Sequence, residues 1–161
     1  MREFLLLRHG KSDYPPDTSD FDRPLAKRGK KDSLKVGQWL RDHGHVPDRI
    51  VTSPARRAAN TATRVGKVLE LDPANIIEEP RLYLASSAQI MEILHAQPDS
   101  AQRVLIAGHN PGLEELVAAL SGQPGPFPTS ALAVFRLHGG WQDISPETAE
   151  TVSIIRPRAL A

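Results

Sequence analysis

The chain contains no cysteine among its 161 residues. That absence removes disulfide frameworks, thiolate catalysis and cysteine-ligated zinc together, and it is compatible with a reducing compartment. Net charge is also scarce, since 20 basic side chains against 19 acidic ones leave only +1. Nothing global therefore draws the protein to nucleic acid or to an anionic membrane, and any recognition of anions has to be built locally. Long apolar runs are missing as well. The N-terminal run Phe4-Leu5-Leu6-Leu7 is too short for the hydrophobic region of a signal peptide or for a membrane span, so a soluble, cytoplasmic protein is expected. There is no repeat, low-complexity segment or heptad seam, and the six histidines do not fall at the spacings of a zinc site.

What is present is enough for one globular domain over residues 1–161, with 40% hydrophobic and 24% charged residues. Short apolar runs alternate with longer stretches of helical period. That alternation predicts an α/β fold in three layers, αβα, with a mostly parallel sheet and helices on both faces. Strands are expected at 4–7, 50–51, 76–77, 104–107, 131–137 and 152–155. Helices are expected at 29–41, from Ser53-Pro54 to about residue 69, at 88–97, and after Asn110-Pro111. Ser53-Pro54 and Asn110-Pro111 both read as an N-cap followed by proline at the first helical position. Ala58, Ala62, Val65 and Leu69 form one buried stripe, Leu113, Leu116, Val117 and Leu120 another. Residues 122–128 read as a loop, and the chain from Arg156 as a loosely held tail.

Three motifs carry chemistry. Leu5-Leu6-Leu7-Arg8-His9-Gly10-Lys11-Ser12 delivers an Arg-His pair at the end of a strand, and Val104-Leu105-Ile106-Ala107-Gly108-His109 delivers a second histidine in the same way. Thr52-Ser53-Pro54-Ala55-Arg56-Arg57-Ala58 brings arginines to a helix start. In open α/β sheets ligands bind beyond the carboxyl ends of the strands, so all three motifs belong at one edge. Two helix N-termini point unpaired N–H groups there, favouring a phosphate, and arginine forks suit its oxygens. At about 100° per residue, Arg56 projects away from the buried stripe and Arg57 lies at its flank, so Arg57 is the expected clamp. Ser53 and Asn110 are caps first and candidate phosphate ligands second. Thr61 is expected to pack or to bond back to its own helix.

Taken in order, these motifs resemble the histidine phosphatase (phosphoglycerate mutase-like) superfamily, and within it the short bacterial SixA-type branch. The family pattern Ser-x-x-x-Arg-Ala-x-x-Thr is matched by Ser53, Arg57, Ala58 and Thr61. The resemblance implies a phosphoglycerate mutase-like fold in which His9 is the nucleophile and becomes a covalent phosphohistidine. Arg8, Arg57 and His109 would clamp the phosphoryl oxygens. No metal and no cofactor is implied. For His9 to attack through a neutral nitrogen, its other ring N–H is expected to donate to a backbone carbonyl.

The segment from Asp20 to Gly29 resembles the rim loop of SixA-type members, with Asp20 as a possible general acid. Its neighbours Arg23, Lys27, Arg28, Lys30 and Lys31 read as a solvated face with a secondary hint of anion recruitment. Many superfamily phosphatases place a glutamate shortly after an Arg-Leu pair to protonate an alcohol leaving group. This chain has Arg81-Leu82-Tyr83-Leu84, and Leu84 has no proton to give. Glu78 and Glu79 are more distant candidates. An imidazole leaving group departs more easily, because phosphohistidine is protonated on its own free nitrogen.

The reading is therefore a monomeric phosphohistidine phosphatase acting on a histidine-phosphorylated protein, a phosphotransfer domain or a phosphotransferase-system carrier. The alternatives are a small-molecule phosphomonoesterase or mutase using Asp20 as acid, and a noncatalytic phosphate-binding module. The last is normally marked by loss of the nucleophile, which His9 contradicts. His43 and His45 are expected as exposed turn residues, His95 and His138 as surface residues.

Overall fold

A computed structural model describes residues 1–157 of the chain. One six-stranded sheet runs through it, formed by β1 (Arg2–Arg8), β2 (Arg49–Thr52), β3 (Ile76–Glu78), β4 (Arg103–Gly108), β5 (Leu132–Leu137) and β6 (Ala149–Ile155). The strand order is β3-β2-β4-β1-β5-β6. The β3-β2, β2-β4 and β4-β1 pairs are parallel, and β5 runs antiparallel to both β1 and β6. This is the expected α/β class, with a mixed sheet whose antiparallel part is confined to the C-terminal end.

Alternation along β1 explains the three layers. Leu5 and Leu7 join Val36, Leu40, Ala62 and Val65 of α1 (Lys27–Asp42) and α2 (Arg56–Val68) on one face. Phe4 and Leu6 join Ile90, Ile93 and Leu94 of α3 (Ser87–His95) and Leu113, Leu116 and Leu120 of α4 (Gly112–Ser121) on the other. A strand covered on both sides needs apolar residues at every position, which is why residues 4–7 read as an unbroken run. All four are fully buried, and each contributes roughly 1.5–3 kcal/mol through removal from water.

Both expected N-caps are displaced. α2 begins at Arg56 with Ala55 as its cap residue, and the backbone N–H that the Ser53 hydroxyl accepts from is that of Ala55, at 3.2 Å, which lies before the helix. Pro54 and Ala55 therefore lie between Ser53 and the first helical residue. α4 begins at Gly112, with Pro111 as its cap residue rather than its first turn. Asn110 still serves this helix, since its Oδ1 accepts the Glu114 N–H at 3.2 Å. The tail reading is also corrected where the chain is described. Arg156 donates to the Pro126 carbonyl at 2.8 and 3.2 Å, and residues 158–161 lie outside the described residues.

At the opposite end of β1, Glu3 is buried between Arg103 (2.5 Å) and His45 (3.0 Å). His45 is thus a half-buried partner stacked on Trp39, not an exposed turn residue. Burial alone would raise the Glu3 carboxyl, but the hydrogen bonds from Arg103 and His45 outweigh it and hold the pKa below its ordinary value. Because the folded pKa is lowered, this stabilisation is complete above the ordinary carboxylate range and is lost as pH falls from there through the lowered folded pKa. Glu3→Gln should lose about 1–3 kcal/mol near neutral pH. In urea unfolding the gap from the parent should close on acidification, and a gap independent of pH would contradict the assignment.

Candidate active site

Strand register assembles the site. Arg8 of β1 lies opposite Gly108 of β4, so the next residue of each strand is a histidine at the same edge. The His9 N–H donates to the Gly108 carbonyl at 3.1 Å, and the two imidazole rings lie 5.2 Å apart. Thr52 of β2 pairs with Ala107, which places Ser53 beside His109. The turn after His9 is tight because Gly10 packs backbone to backbone against Gly29 of α1. A Cβ on Gly10 would come within 2.9 Å of the Gly29 Cα. Its N–H is held by the Thr61 hydroxyl at 3.0 Å, and Thr61 in turn bonds back to the Arg57 carbonyl as expected.

These groups converge on a cleft of about 200 Å³ lined by Arg8, His9, Lys11, Arg23, Arg57 and His109. His9 Nδ1–H donates to the Gly10 carbonyl at 2.8 Å, as neutral attack requires. Its Nε2 lone pair faces the Arg57 Nε at 3.4 Å. Burial chiefly, with the charges of His109, Arg57 and Arg8, outweighs the pull of the Gly10 carbonyl and pushes the His9 pKa down to about 3. His109 is lowered to about 4, again by burial first and then by Arg57. In the free site both imidazoles are neutral throughout the physiological range, and His9 offers an unprotonated nitrogen for attack.

Arg57 is buried and Arg56 is exposed, as the helical phase predicts. The Arg57 guanidinium reaches His109 Nδ1 at 3.5 Å, the Asp20 carbonyl at 2.7 Å and the Asp20 carboxylate at 3.2 Å. Arg8 donates to the Phe127 carbonyl at 3.4 Å. Asn110 lines the cleft, yet its Nδ2 is spent on that same carbonyl at 2.8 Å, while Glu114 accepts the Phe127 N–H at 2.9 Å. Asn110 therefore supports the loop whose Phe127 carbonyl also accepts from the Arg8 side chain. Ser53 is fully buried behind His109, with its hydroxyl 2.8 Å from His109 Nε2. It is not among the residues that line the cleft.

Asp20 sits at the edge of the cleft in the 3-10 turn Asp20–Asp22. The Tyr83 hydroxyl donates to it at 2.5 Å, and Arg23 at 3.1 Å and Arg57 add to the effect. Tyr83 is the largest of these causes, and together they hold the carboxyl down to about 2. In this geometry Asp20 is held as a carboxylate among Tyr83, Arg23 and Arg57. Glu79 is occupied with Arg81 at 2.8 Å, and neither Glu78 nor Glu79 lines the cleft. Leu84 does line it. His43, His95 and His138 pair with Trp39, Ile144 and Glu150 away from it.

Sequence reading missed Tyr83 as a partner of Asp20, because 63 residues separate them and no local period marks a loop tyrosine. It also left Arg23 on a solvated face. In the structure Arg23 lines the cleft and ties Ser12, Asp13 and Asp20 together.

The histidine phosphatase superfamily (branch 1) pattern matches residues 4–83 of this chain. An uncharacterized protein of Mycobacterium tuberculosis is 35% identical over 164 residues, covering 94% of this chain and all of that protein. A phosphohistidine phosphatase SixA homolog of Haemophilus influenzae is 31% identical over 132 residues, covering 76% of this chain and 79% of that one. The solved structure of the protein histidine phosphatase SixA complexed with tungstate is 27% identical with a TM-score of 0.83, over 99% of both chains.

Proposed function

The chain belongs to the histidine phosphatase superfamily, and from that premise we propose that it removes phosphate from a protein-borne phosphohistidine. The observation that carries this reading is the pairing of a neutral, cleft-facing His9 with an acid position filled by Leu84. His9 Nε2 attacks phosphorus in line, its new P–N bond forming as the substrate's P–N bond breaks. The bonding electrons leave with a substrate imidazole already protonated on its other nitrogen. Water then attacks phospho-His9 and releases inorganic phosphate. Arg8, Arg57 and His109 hold the equatorial oxygens as charge develops on them. The similar SixA structure holds tungstate, a tetrahedral oxyanion of the kind these groups suit.

The positive charge that a metal supplies elsewhere comes here from the guanidinium groups, so turnover should persist in a chelator. Inactivation by chelation with rescue by one metal would reject this. The proposed setting is a cytoplasmic monomer with a histidine-phosphorylated phosphotransfer domain or phosphotransferase-system carrier as partner. Among the described residues no helix is long and apolar enough to cross a membrane.

A small-molecule phosphomonoesterase remains the competing reading because Asp20 does stand at the site. A general acid is commonly worth about 10²–10⁴-fold. Without one, phosphohistidine and activated aryl phosphates should exceed alkyl phosphates in kcat/KM by about that factor. Asp20→Asn should leave the ratio unchanged, since an ionised Asp20 donates no proton. A selective loss on alkyl phosphates in that variant would move the small-molecule reading ahead.

A further inference from the structure

Leu84 combines two unfavourable features. Its φ is +51°, a left-handed backbone that L-residues with a Cβ avoid, and 56% of it is exposed to solvent. A leucine held in that conformation and pointed at water is an outlier that asks for a function. It is not isolated. Tyr14, 75% exposed, borders the same cleft with its ring 3.5 Å from the Arg23 guanidinium carbon. Phe21, 38% exposed, lies edge-on to Tyr83 at 5.2 Å, and Tyr83 lies edge-on to His109 at 5.6 Å. Of the six large apolar side chains exposed among the described residues, two line this cleft and a third, Phe21, lies beside it on Tyr83. Scattered exposed apolar residues need no explanation, but a cluster around a cleft does.

We propose that Tyr14, Phe21 and Leu84 form an apolar collar that docks the folded protein whose phosphorylated side chain enters the cleft. The occupant follows from continuity with the site. A phosphoryl group reaching His9 Nε2 fills the floor of a cleft of about 200 Å³, so whatever bears it must cross the collar. A free phosphorylated amino acid meets only the cleft-facing parts of Tyr14 and Leu84 and leaves the rest of the collar wet. A protein lays the surface around its phosphorylated residue on all three side chains, and that surface is expected to be apolar. This proposal rests on the phosphohistidine reading.

The test compares one leaving group with and without a protein attached. Hydrolysis of free phosphohistidine and of a panel of histidine-phosphorylated phosphotransfer domains and phosphotransferase-system carriers is measured for the parent, Tyr14→Ser, Leu84→Gly and the double variant. Glycine accepts the backbone conformation of residue 84, so Leu84→Gly should not lower thermal stability. On the best carrier the double variant should lose at least about tenfold in kcat/KM, carried by KM. On free phosphohistidine the loss should be clearly smaller, since a lone amino acid covers only the cleft-facing part of these side chains. Unchanged carrier kinetics in the double variant, beside an active parent, would overturn the collar alone. Equal losses on both substrates would also overturn it. A parent that hydrolyses no carrier would overturn the phosphohistidine reading and the collar with it. Concentration-dependent self-association abolished by the same substitutions would assign the collar to a second copy instead.

Discussion

Replacing His9 with alanine will bring turnover to background, a loss of at least about 10⁴-fold in kcat, because it removes the atom that forms the covalent bond in the proposed reaction. The geometry leaves no substitute. His109 is the nearest imidazole, with its ring centre 5.2 Å away. Its Nε2 is turned to the Ser53 hydroxyl, and its Nδ1 faces Arg57. Neither nitrogen is set in the position of His9 Nε2, whose orientation is fixed by the Gly10 carbonyl on the opposite side of the ring. The remaining clamp of Arg8, Arg57 and His109 should still bind an oxyanion, so the variant is expected to retain vanadate or phosphate affinity while losing turnover. Near-native rates in His9→Ala without added imidazole would show that another group carries the phosphoryl.

Arg57→Ala should lower kcat/KM by about 10²–10³-fold, the usual cost of one charge-stabilising donor. Arg56→Ala should change it by less than about twofold, as exposed substitutions away from a site usually do. The two residues are adjacent and chemically identical, so the comparison isolates position. Arg57 is buried against His9 and His109, whereas Arg56 faces solvent. Arg57→Lys should fall between them, because an ammonium keeps the charge but cannot reproduce the planar fork. Part of the Arg57→Ala loss will come from Asp20, left without one of its side-chain partners. The double variant Asp20→Asn with Arg57→Ala measures that share. A larger loss at Arg56 than at Arg57 would contradict the placement of both.

The parts of this molecule that were legible in sequence are those fixed by short-range physics. Strands covered on both faces must be apolar throughout, so β1 and β4 were visible as runs, and the residues following them were visible as an Arg-His pair and a Gly-His pair. The phase of α2 separated Arg57 from Arg56 because helical geometry is regular. The two helix starts were misplaced because proline fits both inside the first turn and in the turn before it, and sequence does not distinguish those positions. Long-range pairings were invisible. Nothing near Glu3 announces Arg103 or His45, and nothing near Asp20 announces Tyr83, yet these partners hold each carboxyl below its ordinary pKa. The left-handed backbone of Leu84 carries no local signal either, since leucine is not a residue that marks such turns.

The most direct test of the proposed reaction follows a single turnover of a carrier labelled with radioactive phosphate on its histidine. After rapid quenching, label should leave the carrier and appear transiently on this chain as an acid-labile, base-stable phosphohistidine at His9, then as inorganic phosphate. No label should reach the His9→Ala chain. A carrier that keeps its label while the same enzyme preparation hydrolyses sugar phosphates would contradict the account.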